Sequence, residues 1–302
     1  MTREIITIFK ENFPFIVREE ETVNSVLENK DNRIFEKRNE KNELIGVCVV
    51  NKNTILLLCV KKEYRNKGVG TLLLKQSEGF IKQHGYNEVN VGVGFNYLMP
   101  GVPTNKKVYK EKLEKDNIYK NVDDVAYKFF KNRGYYHSWN DANCFDMRLD
   151  LKDFNQDKYS VGDTINGISY IWATVNDLEK IIKCTDDAEK EFTKYYKNNK
   201  MYDENNNQRV LIAKDGKEVV GTLIVSIETE GVGLGSVGCT TVKHSHRGRH
   251  IAVNMVILGS KYLKDIVLDK AYLGYTYTGL DRMYGYAGYK ICIYYFMAKK
   301  DL

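Results

Sequence analysis

The sequence predicts a mixed α/β (α+β) chain made of two tandem domains, each a sheet flanked by helices. Three observations carry this. Residues 55–80, ILLLCVKKEYRNKGVGTLLLKQSEGF, run from a fully apolar strand through a basic, glycine-containing turn into an amphipathic helix. The same order of elements recurs in the second half of the chain. At 302 residues the chain also has room for two domains of about 150, a common domain size.

Composition sets the outer limits. An apolar fraction of 43% supports a real core, and 28% charged residues suit a soluble surface. No apolar run approaches the roughly 20 residues of a membrane span, so no membrane partner is expected. The N-terminal MTREIITIFKENF has acidic residues and no small-residue cleavage site, which argues against a signal peptide. Cys48, Cys59, Cys144, Cys184, Cys239 and Cys292 are scattered and form no CxxC pair. They read as reduced core thiols of a cytoplasmic protein. A net charge of +6 suits an anionic ligand, but no dense Lys/Arg tract argues for nucleic acid.

In chain order, apolar spacing predicts a helix over 2–19 and a shorter one over 22–28, then strands at 33–40, 44–51 and 55–60. The helix after the turn ends at His84-Gly85, with Gly85 as a cap, and a strand follows at 88–95. Residues 96–124 begin NYLMPGVPT and continue as a charged stretch. They read either as a surface excursion or as a lid or substrate wall. Asp124 caps a helix ending at Gly134, and strands at 135–140 and 144–151 are predicted to close a first domain as a hairpin. This puts the domains at 1–152 and 153–302, with a polar linker over 152–163. The second domain is predicted as a strand at 164–174, helices across 176–199, strands at 209–214, 219–227 and 232–242, a helix at 251–263, a strand at 271–275, a helix at 279–286 and a strand at 290–298.

The two halves share strand, Arg-x-x-[Gly/His]-x-[Gly/Ala], helix, strand, helix, Gly-Tyr, strand. Arg65 to Gly134 is longer than Arg247 to Gly288 by about the length of the extra segment after Phe95, so the chain is a tandem repeat. Each strand–loop–helix junction aims unpaired backbone N–H groups and the positive end of a helix dipole at whatever lies above it. Gly68 and Gly70 carry no Cβ and so let a phosphate come close. A dinucleotide fold is the competing reading, but its full Gly-x-Gly-x-x-Gly run is absent.

Arg65-Asn66-Lys67-Gly68-Val69-Gly70 resembles the pyrophosphate loop of the GCN5-related N-acetyltransferase (GNAT) family. The chain resembles two-domain members of that family over most of its length. The resemblance implies two tandem GNAT domains, each with a mixed, mostly antiparallel sheet flanked by helices. It implies acetyl-CoA as co-substrate, held by Val60, Arg65, Asn66, Lys67, Gly68, Val69, Gly70 and Thr71. In the second half the matching positions are Val242, Arg247, Gly248, Arg249, His250, Ile251 and Ala252. There His250 replaces the family's first glycine, leaving two readings: retained coenzyme binding, or a half that binds weakly or not at all.

The family's chemistry is attack of a neutral amine on the thioester, which needs positioning, a polarised carbonyl and an acid for the leaving thiolate. In many members that acid is a tyrosine four positions before the Gly-Tyr pair of the last helix. Here it is Tyr284 in the second half and Phe130 in the first, so Tyr284 is the predicted general acid. The plainer role for Tyr284 is packing on the sheet. His244, His246 and His250 could ligate zinc, but no cysteine or carboxylate nearby in sequence completes a site, and positive loop lining is the expected role. No metal is predicted. No general base is evident; Glu228 and Glu230 fall in a hairpin turn. The implied activity is N-acetylation of a primary amine on a small molecule or peptide, or acylation of such an amine with a longer chain. The alternative is a tandem acyl-CoA-binding module with little transfer. Acceptor and oligomeric state stay open.

Overall fold

A computed structural model of the chain describes residues 2–302 except 17, 19, 94–97, 105, 108–111, 114–123, 140–141, 160 and 230. The first part runs α1 (Thr2–Asn12), α2 (Glu20–Glu28), β1 (Asn32–Arg38), β2 (Leu44–Asn51), β3 (Thr54–Val60), α3 (Val69–Gln83) and β4 (Glu88–Val91). Then come β5 (Val102–Thr104), the short pair β6 (Lys106–Lys107) and β7 (Lys112–Leu113), α4 (Val125–Lys131), β8 (Tyr136–His137) and β9 (Cys144–Asp150). The rest is β10 (Thr164–Ile165), β11 (Ile168–Trp172), α5 (Leu178–Ala188), α6 (Thr193–Tyr196), β12 (Gln208–Asp215), β13 (Glu218–Ile227), β14 (Leu234–Val242), α7 (Ile251–Asp265), β15 (Lys270–Tyr277), α8 (Asp281–Tyr286), β16 (Lys290–Phe296) and β17 (Ala298–Asp301).

Most predicted elements form. The first helix stops at Asn12 rather than running to 19, because Phe13 precedes Pro14 and the residue before a proline disfavours the helical region. The Asn12 amide donates to the Ile8 carbonyl, one of the acceptors left open at that helix end. Most of the 96–124 segment, read above as a loop or lid, lies outside the described residues.

Two compact units make up the chain: Met1–Phe145 with Cys292–Leu302, and Asp146–Ile291. This departs from the predicted division at residue 152. In the first unit the sheet order is β1-β2-β3-β4-β17-β8, all antiparallel except β3–β4. The chain's last strand therefore lies between β4 and β8, where a hairpin of β8 with β9 was predicted. β8 is too short to hold a hairpin alone. Two further bonds fix it to the incoming segment: His137 Nδ1 accepts the Met297 N–H at 3.1 Å, and Ser138 donates its N–H to the Met297 carbonyl at 2.9 Å. The other large sheet has the order β10-β11-β12-β13-β14-β15-β9-β16-β5, so β9 occupies the corresponding place there, beside β15. Each repeat gives its last strand to the other's sheet. The predicted linker is also part of the second unit: the Leu151 N–H bonds the Asp269 carbonyl at 2.9 Å, and Phe154 is buried.

The packing of helix on sheet repeats as well. A Cβ on Gly46 would lie 2.8 Å from Val69 and 3.0 Å from Leu73, so β2 and α3 touch backbone to side chain. Gly221 does the same for β13 and α7, with 2.9 Å to Met255 and 3.1 Å to Ile251. The parallel pairing in each unit is confined to the start of the earlier strand: Thr54–Ile55 of β3 with Asn90–Val91, and Leu234–Ser236 of β14 with Lys270–Tyr272. Beyond those residues no further pairing is present among the described residues. Each sheet therefore opens beside the N-terminus of α3 or α7, and each has a register shift just upstream, at Val49/Val50 and at Thr222/Ile224.

Candidate functional site

The first loop is held by its own arginine. Arg65 donates Nε–H to the Val60 carbonyl at 3.3 Å and Nη2–H to Asn12 Oδ1 at 2.7 Å, tying the turn to the end of β3 and to α1. Asn66 (φ 59°) and Gly68 (φ 81°) are left-handed, and Gly68 is the N-cap of α3. That geometry turns the first N–H groups of α3, which have no intrahelical acceptor, toward open space. A cavity of about 220 Å³ lies over them, lined on one side by Val60, Arg65, Asn66, Gly68, Gly70 and Thr71. Its far wall is apolar, with Phe13, Phe15, Phe129 and Phe130 prominent, and Asn12 and Arg133 add polar groups. Of the predicted loop residues, Val69 is buried against β2, and the exposed Lys67 ammonium stands 5.3 Å over the Tyr64 ring.

The second loop copies the backbone and changes the charges. Arg247 donates to the Val242 carbonyl at 3.3 Å and to the Ala188 carbonyl at 3.1 Å. The left-handed positions fall on Gly248 (φ 80°) and His250 (φ 57°), so the glycine has moved to the first of the two and the histidine has taken the second. Ile251 anchors α7 as Val69 anchors α3, Ala252 is half-buried, and His250 is exposed. The loop's basic groups already face carboxylates: Arg249 and His246 reach Asp215 at 3.3 and 3.5 Å, Lys243 bonds Glu218, and His244 bonds Asp187. The His244 N–H and imidazole lower the Asp187 pKa, while Glu218 raises that of Lys243. Among the described residues no group of three or more His, Cys, Asp or Glu is placed to hold a metal.

Tyr284 lies on α8, buried, with its hydroxyl 3.3 Å from Thr240 Oγ1 and its ring edge-on to Tyr289. Burial raises its pKa to about 12, so it keeps its proton at neutral pH. Thr240 lies two residues before Val242, as Leu58 lies two before Val60. Leu58 and Phe130 both line the first cavity. Tyr284 thus stands in its unit where Phe130 stands beside the cavity of the other. Glu228 is spent on its own turn, accepting the Gly233 N–H at 2.7 Å; Glu230 lies outside the described residues. The second unit also has a cavity of about 350 Å³ on the opposite side of β14 from α7, bordered by Tyr195, Asn198, Gln208, Ser226, Gly238 and Cys239.

Sequence reasoning missed Asn12 and Arg133. Arg133 donates Nη2–H to Thr71 Oγ1 at 2.7 Å and Nη1–H to the Phe129 carbonyl at 2.8 Å, and its guanidinium stacks on the Phe129 ring at 3.9 Å. The repeat did not single it out: Arg133 is three residues beyond Phe130, and the equivalent residue beyond Tyr284 is Ala287.

Both units thus combine an opened sheet with an arginine-tied loop and a helix N-terminus, and in the first a cavity lies over them. Residues 3–94 match the profile of the acetyltransferase (GNAT) domain. An uncharacterized N-acetyltransferase of Chlorobaculum tepidum is 33% identical over 84 residues, covering 25% of this chain and 54% of the relative, so the match spans about half of that protein. A solved GCN5-related glucosamine N-acetyltransferase region of a fungal multi-domain GH3 β-N-acetylglucosaminidase superposes with a TM-score of 0.72 at 18% identity, over 99% of this chain and 36% of that one. A tandem GNAT protein from the clavulanic acid biosynthesis pathway gives 0.70 at 12%, over 99% and 94%. The chain thus matches a GNAT acetyltransferase domain over residues 3–94 and shares the fold of a tandem GNAT protein over 99% of its length.

Proposed function

We propose that the chain is an acetyl-CoA-dependent N-acetyltransferase that acts on a primary amine of a small molecule or peptide. The observation that carries this is the first-unit cavity, where the helix N-terminus, Arg65 and the Cβ-free Gly68 and Gly70 share the lining with the apolar side chains of Phe13, Phe15, Phe129 and Phe130. A pyrophosphate fits the first part by charge and hydrogen bonding, and a pantetheine-like arm fits the second by apolarity. When bound, the coenzyme supplies the activated acyl group. In the first unit the loop and the cavity wall would hold it; in the second, Tyr284 keeps its proton at the position that Phe130 occupies in the first and would be the acid for a thiolate leaving from a coenzyme bound in that unit. Six scattered cysteines with no CxxC spacing, five of them buried, agree with a reducing compartment such as the cytoplasm.

Two observations favour a second reading, a coenzyme-binding module with little transfer. Phe130, which cannot donate a proton, lines the cavity that has the open loop, and the basic groups of the loop in the tyrosine-bearing unit are engaged by Asp215, Asp187 and Glu218. Calorimetric titration with acetyl-CoA, followed by thiol release with a panel of amines, separates the two. Amine-stimulated release supports the transferase. Saturable binding without release under any amine supports the module, and absence of binding overturns both.

A further inference from the structure

The 350 Å³ cavity of the second unit interrupts a sheet face that is otherwise core. On that face Val210, Ile212 and Ile224 pack with Tyr196 and Met201, all buried. In the row beyond Val210 and Ile224, Gln208 pairs with Ser226 and Ser226 with Ser236. Three neutral polar side chains therefore lie side by side across β12, β13 and β14. Gln208 donates Nε2–H to Ser226 Oγ at 3.2 Å, and among the described residues the hydroxyl protons of Ser226 and Ser236 have no acceptor. Tyr195 and Asn198 add a phenol and an amide to the lining, which holds no charged side chain. The charge beside it is positive: the Lys194 ammonium stands 5.0 Å over the Tyr195 ring.

Gly238 belongs to the same lining. Its φ is not left-handed, and a Cβ there would meet nothing within 4 Å, so neither backbone nor packing requires glycine. Gly221 and Gly259 in the same unit differ, since a Cβ on either would come within 2.9 Å of a side chain. A strand glycine with open space above it marks a close approach by a ligand. Between Gly238 and Thr241, β14 carries one residue more than β13 does between Ile224 and Thr222. That bulge sets Cys239 in the cavity lining and Thr240 against the Tyr284 hydroxyl at 3.3 Å.

We infer that this cavity is the acceptor site of the second unit and takes a small amine with several hydroxyl groups and no charge beyond its own nitrogen, an amino-polyol or amino sugar. This rests on the transferase reading above and adds a substrate class to it. Neutral donors and acceptors match hydroxyl groups, whereas a polyamine would bring ammonium groups that nothing in the lining pairs and that Lys194 repels. In the transfer the acceptor nitrogen bonds to the acyl carbon as the bond from that carbon to sulfur breaks. The nitrogen's proton passes to water, and the thiolate takes one from Tyr284, which water restores.

The test is calorimetric titration of the whole chain, with coenzyme A present, using glucosamine, glucamine, spermidine and Nα-acetyl-lysine as probes. It is run on the natural protein, Ser236→Ala and Gly238→Val, and repeated as thiol release from acetyl-CoA. The two hydroxylated amines should bind and stimulate release, and the other two should do neither. Ser236→Ala removes one neutral hydrogen bond and should weaken the hydroxylated amines by about threefold to tenfold. Gly238→Val should abolish their binding without lowering the melting temperature, since valine suits a strand; if it melts earlier, Ser236→Ala decides alone. Titration with coenzyme A by itself should be unchanged in both variants. Preference for spermidine or Nα-acetyl-lysine, binding of neither hydroxylated amine, binding unaffected by Ser236→Ala, or binding without release would each overturn the inference. If coenzyme A itself failed to bind the natural protein, the transferase reading would fall, which the separate coenzyme titration shows.

Discussion

Gly68 and His250 occupy the same left-handed N-cap position in the two repeats, with φ of 81° and 57°, which makes a reciprocal exchange informative. Left-handed geometry costs an L-residue roughly 1–2 kcal/mol. Glycine avoids this but brings a larger entropy loss on folding of about 0.5–1 kcal/mol. Neither site adds a packing contribution. A Cβ at Gly68 would meet nothing within 4 Å, and among the described residues the exposed His250 imidazole has no hydrogen-bond or ion-pair partner. Gly68→Ala should therefore destabilise its unit, and His250→Gly should stabilise the other, each by about 0.5–1 kcal/mol. For units of this size that corresponds to roughly 2–4 °C in melting temperature per kcal/mol. Scanning calorimetry of both variants at one protein concentration measures it. Shifts of the same sign, or a His250→Gly protein that melts earlier, would refute the claim that the histidine sits there against its backbone preference.

Other outcomes follow from single contacts. Tyr284→Phe keeps the ring packing and loses one 3.3 Å hydroxyl contact, so coenzyme affinity should hold while turnover falls about a hundredfold; steady-state kinetics beside calorimetry would reject the general-acid role if turnover were unaltered. Gly46→Ala forces a methyl within 2.8 Å of Val69 and should cost about 1–3 kcal/mol in urea unfolding. By contrast, Gly79→Ala, in α3 with nothing within 4 Å, should stabilise by about 0.5–1 kcal/mol. Burial lowers the His137 pKa below its ordinary value of 6.5, so below that pH the unfolded chain takes up a proton that the folded chain refuses. Its contribution to stability is complete above about pH 6.5 and is lost as pH falls toward the folded-state pKa. Denaturation of the natural protein and of His137→Gln between pH 7.5 and 5 should give a flatter dependence for the variant, and parallel curves would exclude the assignment.

What the sequence made legible was set by local physics. The run from Ile55 to Phe80 announces itself because an apolar strand, a basic turn and a helix period are all short-range signals, and the structure keeps each of them. Tyr284 could be found only by aligning the two halves, since one buried tyrosine among 22 has no signal of its own. The same alignment placed Phe130, which the structure sets against the first cavity. The early stop of α1 was written in Pro14 and was overrun by the apolar residues on both sides of it. Strand pairing at the end of each repeat was not legible. β8 and β9 are neighbours in sequence with a turn between them, and adjacency argues for a hairpin. Register is decided instead by which edges remain unfilled, and those belong to distant parts of the chain. Arg133 escaped for a similar reason: it meets Thr71 across 62 positions, and nothing in a helix-ending arginine signals a partner so far away.

The exchanged strands also bear on how the protein is made. During synthesis the first unit reaches β8 with a place left empty beside β4, and the segment that fills it, β17, leaves the ribosome only after all of Asp146–Ile291 has been translated. Until then β4 and β8 present bare backbone edges, the kind of surface that invites pairing with a neighbouring nascent chain. A gene cut between the repeats would yield two fragments, each carrying the strand the other needs. Mixed together they could restore both sheets, whereas either one alone would have to seek the missing strand in a second molecule.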